Sequence, residues 1–116
     1  MAVTYAEQRK RVLALAEKWQ KRMDLEYITF RHEFSEAERA DDRDCEGTTA
    51  ANWQYRDALF TWYLPRISLL DPDHVELLVV HELVHVLLNP IDPKTHKKRL
   101  EFVTESIARA LIKAAK

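Results

Sequence analysis

Residues 78–88 read Leu-Val-Val-His-Glu-Leu-Val-His-Val-Leu-Leu, a His-Glu-x-x-His pattern inside an aliphatic run. On a helix, positions four apart share a face, so His81 and His85 can both reach one ion. Glu82 is turned by about 100° from His81. It would stand beside that ion, where a carboxylate can take a proton from bound water. Neutral imidazoles suit zinc, which in a catalytic site takes three protein ligands and keeps a fourth position open for water. An ion so held polarises a carbonyl and generates a nucleophile near neutral pH. Hydrolysis is the chemistry that this spacing serves.

The competing reading is a buried helix whose histidines only make hydrogen bonds. Burying two imidazoles and a carboxylate among Leu and Val costs several kcal/mol unless they are paired or bound to metal. The neighbours in sequence offer no polar partner. The metal reading prevails, and the stretch reads as the active helix of a metallopeptidase.

Two histidines need a third ligand. Downstream stand Asp92, Glu101 and Glu105, with His96 as a nitrogen alternative. A helical wheel of the last segment gathers Leu100, Val103, Thr104, Ile107, Ala108, Leu111 and Ala115 on an inward arc. Glu101 falls at the margin of that arc, and Glu105 lies farther round, toward Arg109. A carboxylate facing the core needs a reason, and a metal supplies one. Glu101 is therefore the expected ligand and Glu105 the alternative; in the first case Glu105 would orient a ligand from behind.

The elements that must carry these groups are readable in order. Residues 5–23 carry Val12, Leu15, Ala16 and Trp19 at helical spacing, with Thr4 and Glu7 forming a capping box. This helix is expected to cover a sheet. Residues 25–34 alternate, with Ile28, Phe30 and Phe34 to one side, and predict a strand. His32 falls on the apolar face of that strand and reads as a satisfied core residue. Residues 35–49 hold six acids, two arginines and the single glycine, the composition of a solvated loop. Cys45 lies inside it; an exposed thiol is expected, a latent zinc-capping thiolate being the alternative. Residues 51–55 and 58–64 predict a ribbon joined at Arg56-Asp57, with Pro65 placing it at a sheet edge. Asp71 with Pro72, or Asp73 with Glu76, can cap the active helix, which is expected to start near Asp73, and Asn89-Pro90 ends it. The last helix spans about 95–115, after a turn bearing Lys94, His96, Lys97, Lys98 and Arg99.

At 116 residues the chain suits a single domain, 1–116, of α+β class. The expected architecture is an N-terminal helix, a short antiparallel or mixed sheet, the active helix and a C-terminal glutamate helix. A net charge of −1 provides no field to recruit nucleic acid or an anionic membrane. A lone cysteine and an N-terminus without an apolar core point to the cytoplasm. The apolar run that His81 interrupts, 77–80, is too short to span a bilayer.

With these residues assembled, the chain resembles the zincin metallopeptidases of gluzincin type, in particular small single-domain forms encoded in phages and prophages. Peptidases of the SprT-like and ImmA-like kinds are more distant comparisons. Gluzincins carry His-Glu-x-x-His on one helix and a glutamate ligand on a later one, often as Glu-x-x-x-Asp. The corresponding stretch here is Glu101-Phe102-Val103-Thr104-Glu105, with Glu105 in place of aspartate. The resemblance implies a zinc-loaded domain acting on a peptide or protein. It also implies an edge strand above the active helix, for which residues 58–64 are the natural candidate, and an oxyanion-stabilising group, for which Tyr55, Tyr63 and His74 are open choices. Two other functions compete with hydrolysis of peptide bonds. One is a non-catalytic, zinc-stabilised interaction or regulatory module. The other is DNA-linked proteolysis, resting on the basic 94–99 cluster alone.

Overall fold

The computed structural model describes residues 3–37, 46–91 and 97–116. Helix α1 (Tyr5–Arg22) opens on the expected capping box: Thr4 Oγ1 accepts from the Glu7 N–H, and the Glu7 carboxylate reaches back to Thr4. Val12, Ala16 and Trp19 are buried on one face. That face packs chiefly on the active helix, so the expected cover over the sheet is mainly a helix–helix contact. The Trp19 indole donates to Glu76 Oε2 at 2.7 Å and ties the two helices together.

Strand β1 (Thr29–Ser35) begins later than its alternation predicts. Asp24 adopts a left-handed φ of 58°, and the Gln20 amide donates to the carbonyls of Leu25 and Ile28. These bonds hold residues 25–28 in a turn, while Leu25 and Ile28 still reach the core. Strands β2 (Gly47–Asn52) and β3 (Asp57–Tyr63) complete a mixed sheet of order β1-β3-β2, with β1 parallel and β2 antiparallel to β3.

The ribbon thus sits earlier in sequence than expected. Residues 47–49 pair in the sheet rather than in a loop, and residues 53–56 form the turn, with Arg56 at φ 54°. Gly47 suits a close approach: a Cβ there would lie 3.0 Å from the Trp62 ring, and the ring would have to give by a few tenths of an ångström. The rest of the acidic segment, 38–45, lies outside the described residues, and Cys45 with it.

A second expectation fails here. Residues 58–64 do not form the outer strand: β3 is central, and β2 is the edge strand beside the active helix. Ala58, Phe60 and Trp62 are wholly buried, and such an apolar strand gains most from neighbours on both sides. Pro65 follows the end of β3, within the short helix α2 (Leu64–Ile67), and leaves its pairing intact.

Helix α3 (Pro72–Leu88) carries the His-Glu-x-x-His pattern through the middle of the molecule. Asp71 caps it through the His74 N–H, and Pro72 occupies its first turn. By length and composition alone, Pro72–Ile91 could cross a membrane, contrary to the count of one uninterrupted run. In the fold it is the core helix, with Val75, Val79, Val80, Leu83, Val84 and Val86 buried. Helix α4 (Lys97–Ala114) packs against it through Thr104 and Ala108, flanked by Ile107, Leu111 and Ile112. Val103, placed inward by the wheel, is largely exposed.

Candidate metal centre

The facing surfaces of α3 and α4 bring together His81, His85 and Glu101. His81 Nε2 lies 3.1 Å from Glu101 Oε2, and His85 Nε2 lies 3.0 Å from Glu101 Oε1, so one carboxylate spans both imidazoles. One donor atom from each of the three residues can be chosen within 4.8 Å of the others. Zinc bonds of about 2.0–2.2 Å set tetrahedral donors roughly 3.4 Å apart. The two imidazole–carboxylate contacts are a few tenths shorter than that and go to different oxygens of Glu101, so side-chain adjustment would be needed to close the three donors round one ion. The donor set, two imidazoles and a carboxylate, suits zinc chemically.

His81 has a second carboxylate behind it. Its Nδ1 lies 2.8 Å from Glu105 Oε1, and Glu105 Oε2 accepts from Arg109 at 2.9 Å. With Nδ1–H donating to Glu105, the lone pair of Nε2 is left for an ion, and the ring is held in one tautomer. Burial pulls the His81 pKa down, but the bond to Glu105 and the charges of Glu82, Glu101 and Glu105 outweigh it, and the net shift is upward. Those same carboxylates favour the protonated form of the ring.

The wheel misjudges which carboxylate is more exposed. Glu101 is 57% exposed and Glu105 34%, the reverse of the expected order. The buried stripe of α4 runs through Thr104 and Ala108, which draws Glu105 against α3 and leaves Glu101 at the rim. The imidazoles, rather than the core, explain the position of Glu101.

Glu82 is 5% exposed on the neighbouring face of α3. Burial raises its pKa to about 7, against the downward pull of Thr49 and His81, with Glu101 and Glu46 pushing further up. Thr49, on β2, places Oγ1 2.7 Å from Glu82 Oε1 and 3.1 Å from the Glu82 carbonyl oxygen. Residue-level reading assigned Thr49 to a loop and missed it, because only strand pairing carries it over α3. The Glu105–Arg109 pair, by contrast, has a readable i, i+4 spacing.

No protein family, curated protein or solved structure matches the chain.

The remaining candidates are dispersed. His32 stacks on Phe60 at 5.2 Å and accepts at Nδ1 from the Trp62 indole at 3.0 Å, the satisfied core position expected of it. The His74 ring is engaged by Asp71, and Tyr55 stands exposed in the β2–β3 turn. Tyr63 ends β3 and donates its N–H to the Glu46 carbonyl. Asp92, Lys94 and His96 lie outside the described residues; Lys97, Lys98 and Arg99 are exposed in the first turn of α4.

Proposed function

We propose that the chain is a zinc-dependent metallopeptidase of gluzincin type, in which His81, His85 and Glu101 hold the ion and Glu82 is the general base. The supporting observation is the convergence of a carboxylate from α4 on both imidazoles of the motif, with Glu82 buried beside them and its pKa raised by that burial to about 7. When bound, zinc would act as a Lewis acid toward a peptide carbonyl and toward water.

The chain's own groups divide the remaining work. Glu105 keeps the His81 proton on Nδ1 and orients the ring. A carboxyl group with a pKa of about 7 can take a proton from the attacking water and hand it to the leaving amine. The outer edge of β2 runs beside this site, so an extended peptide could add to it by backbone pairing. In this reading the substrate is a peptide or protein, and the expected setting is the cytoplasm.

Glu82→Gln should retain stoichiometric zinc and lose hydrolysis across a library of internally quenched peptides. Turnover retained in that variant would remove Glu82 from the mechanism. Wild-type protein without stoichiometric transition metal under metal-replete conditions would overturn the reading altogether. A non-catalytic module would instead have a fourth protein ligand closing the ion. Among the described residues the group offers three donors.

A further inference from the structure

We propose that Thr49 is a positioning residue for Glu82, aiming its carboxylate from the edge strand; this rests on the metallopeptidase reading above. The Thr49 hydroxyl has one proton and two acceptors within reach, and both belong to Glu82: Oε1 at 2.7 Å and the backbone carbonyl at 3.1 Å. Either way the hydroxyl stays on that residue, and the shorter contact to a charged oxygen is the stronger one. Among the described residues no other group hydrogen-bonds the Glu82 carboxyl. Oε1 is thereby fixed in direction, and the carboxylate keeps further lone pairs with which to take a proton.

Rigidity comes from both sides of the contact. Thr49 pairs with Phe60 across β2 and β3, so its backbone is set by the central strand. Its branched Cβ restricts χ1, which fixes the direction of the hydroxyl. Glu82 is anchored in the buried helix between His81 and Leu83. The base is therefore held at its backbone by α3 and at its carboxylate by β2, the strand along which an extended substrate would pair. Substrate and base share one reference frame, and a displacement of about 1 Å in such a group can reduce turnover on the order of 100-fold.

The test compares Thr49→Val, which removes the hydroxyl at constant shape, with Thr49→Ser, which keeps it. In protein labelled with 13C at the glutamate carboxyl, the Glu82 resonance, assigned through Glu82→Gln, should move in Thr49→Val and return in Thr49→Ser. This readout needs neither metal nor substrate. On the best-cleaved peptide of the quenched library, Thr49→Val should lower kcat about 10- to 100-fold with KM and zinc content unchanged, and Thr49→Ser should restore most of it. Wild-type kcat in Thr49→Val, or an unmoved Glu82 resonance, would overturn the proposal and leave the metallopeptidase reading standing. Failure of zinc-loaded wild type to cleave any peptide would overturn both.

Discussion

His32 and His81 both project from regular elements among apolar neighbours, yet the fold completes them in opposite ways. His32 lies between aromatic rings on the sheet, where the Trp62 indole supplies one donor and Phe60 a stacking face. Its bond to Trp62 needs a neutral ring with Nδ1 as acceptor, and burial lowers its pKa to match. His81 meets two carboxylates from α4, which raise its pKa and leave Nε2 beside a second imidazole and a shared carboxylate. One imidazole is half-buried among the aromatic rings of the sheet, with its Nδ1 bonded. The other belongs to a group of two imidazoles and a carboxylate that could hold a metal ion. Both imidazoles lie on the apolar side of their element; what differs is the chemistry that packs against them.

The most disruptive test removes the shared carboxylate. Glu101→Ala should abolish stoichiometric zinc at neutral pH, as read by titration with a competing chelator. Zinc retained at wild-type affinity would remove Glu101 from the site. Glu105→Ala should leave a site that binds zinc about 10- to 100-fold more weakly, since it frees the His81 ring without deleting a ligand. If the two variants exchange these effects, Glu105 is the ligand and Glu101 its neighbour.

The sheet histidine should respond in stability alone. His32→Leu leaves the Trp62 N–H buried without a partner, and unfolding by urea should show a loss of about 1–2 kcal/mol at pH 7 with zinc affinity unchanged. A change in zinc affinity would link the two regions. The loss should also depend on pH. Because burial lowers the folded pKa of His32 below 6.5, the unfolded chain binds more protons there than the folded one. The contribution of His32 is whole above pH 6.5 and declines as pH falls toward the folded value. The gap between wild type and His32→Leu in the metal-free protein should therefore narrow from pH 7 to pH 5; a constant gap would mean that His32 titrates normally. The smallest effect belongs to Arg109→Ala. Its pair with Glu105 is largely exposed, so zinc affinity should change by less than about fivefold. A larger change would extend the functional network to Arg109.

Much of the local structure was legible without coordinates, because it depends on residues a few positions apart. The period of the helix places His81 and His85 on one face with Glu82 beside them. Thr4 with Glu7, and Asp71 with Pro72, mark where α1 and α3 begin through bonds spanning three residues. The alternation at Phe30, His32 and Phe34 marks the half-buried face of a strand, although its start could not be read, since the Gln20 side chain holds residues 25–28 in a turn.

What the tertiary structure alone decided involves partners distant in the chain. Whether β3 lies in the middle or at the edge depends on which strands find it, and residues 47–49 became strand by pairing with it. The wheel treated α4 as facing a uniform core, whereas α3 presents it with imidazoles on one side, which reorders the exposure of Glu101 and Glu105. Thr49 reaches Glu82 across 33 positions of sequence, through a register that no local pattern encodes. A helix period relates side chains on one element; only packing determines which groups from other elements stand opposite them, and a metal site or an aimed base is made of such opposites.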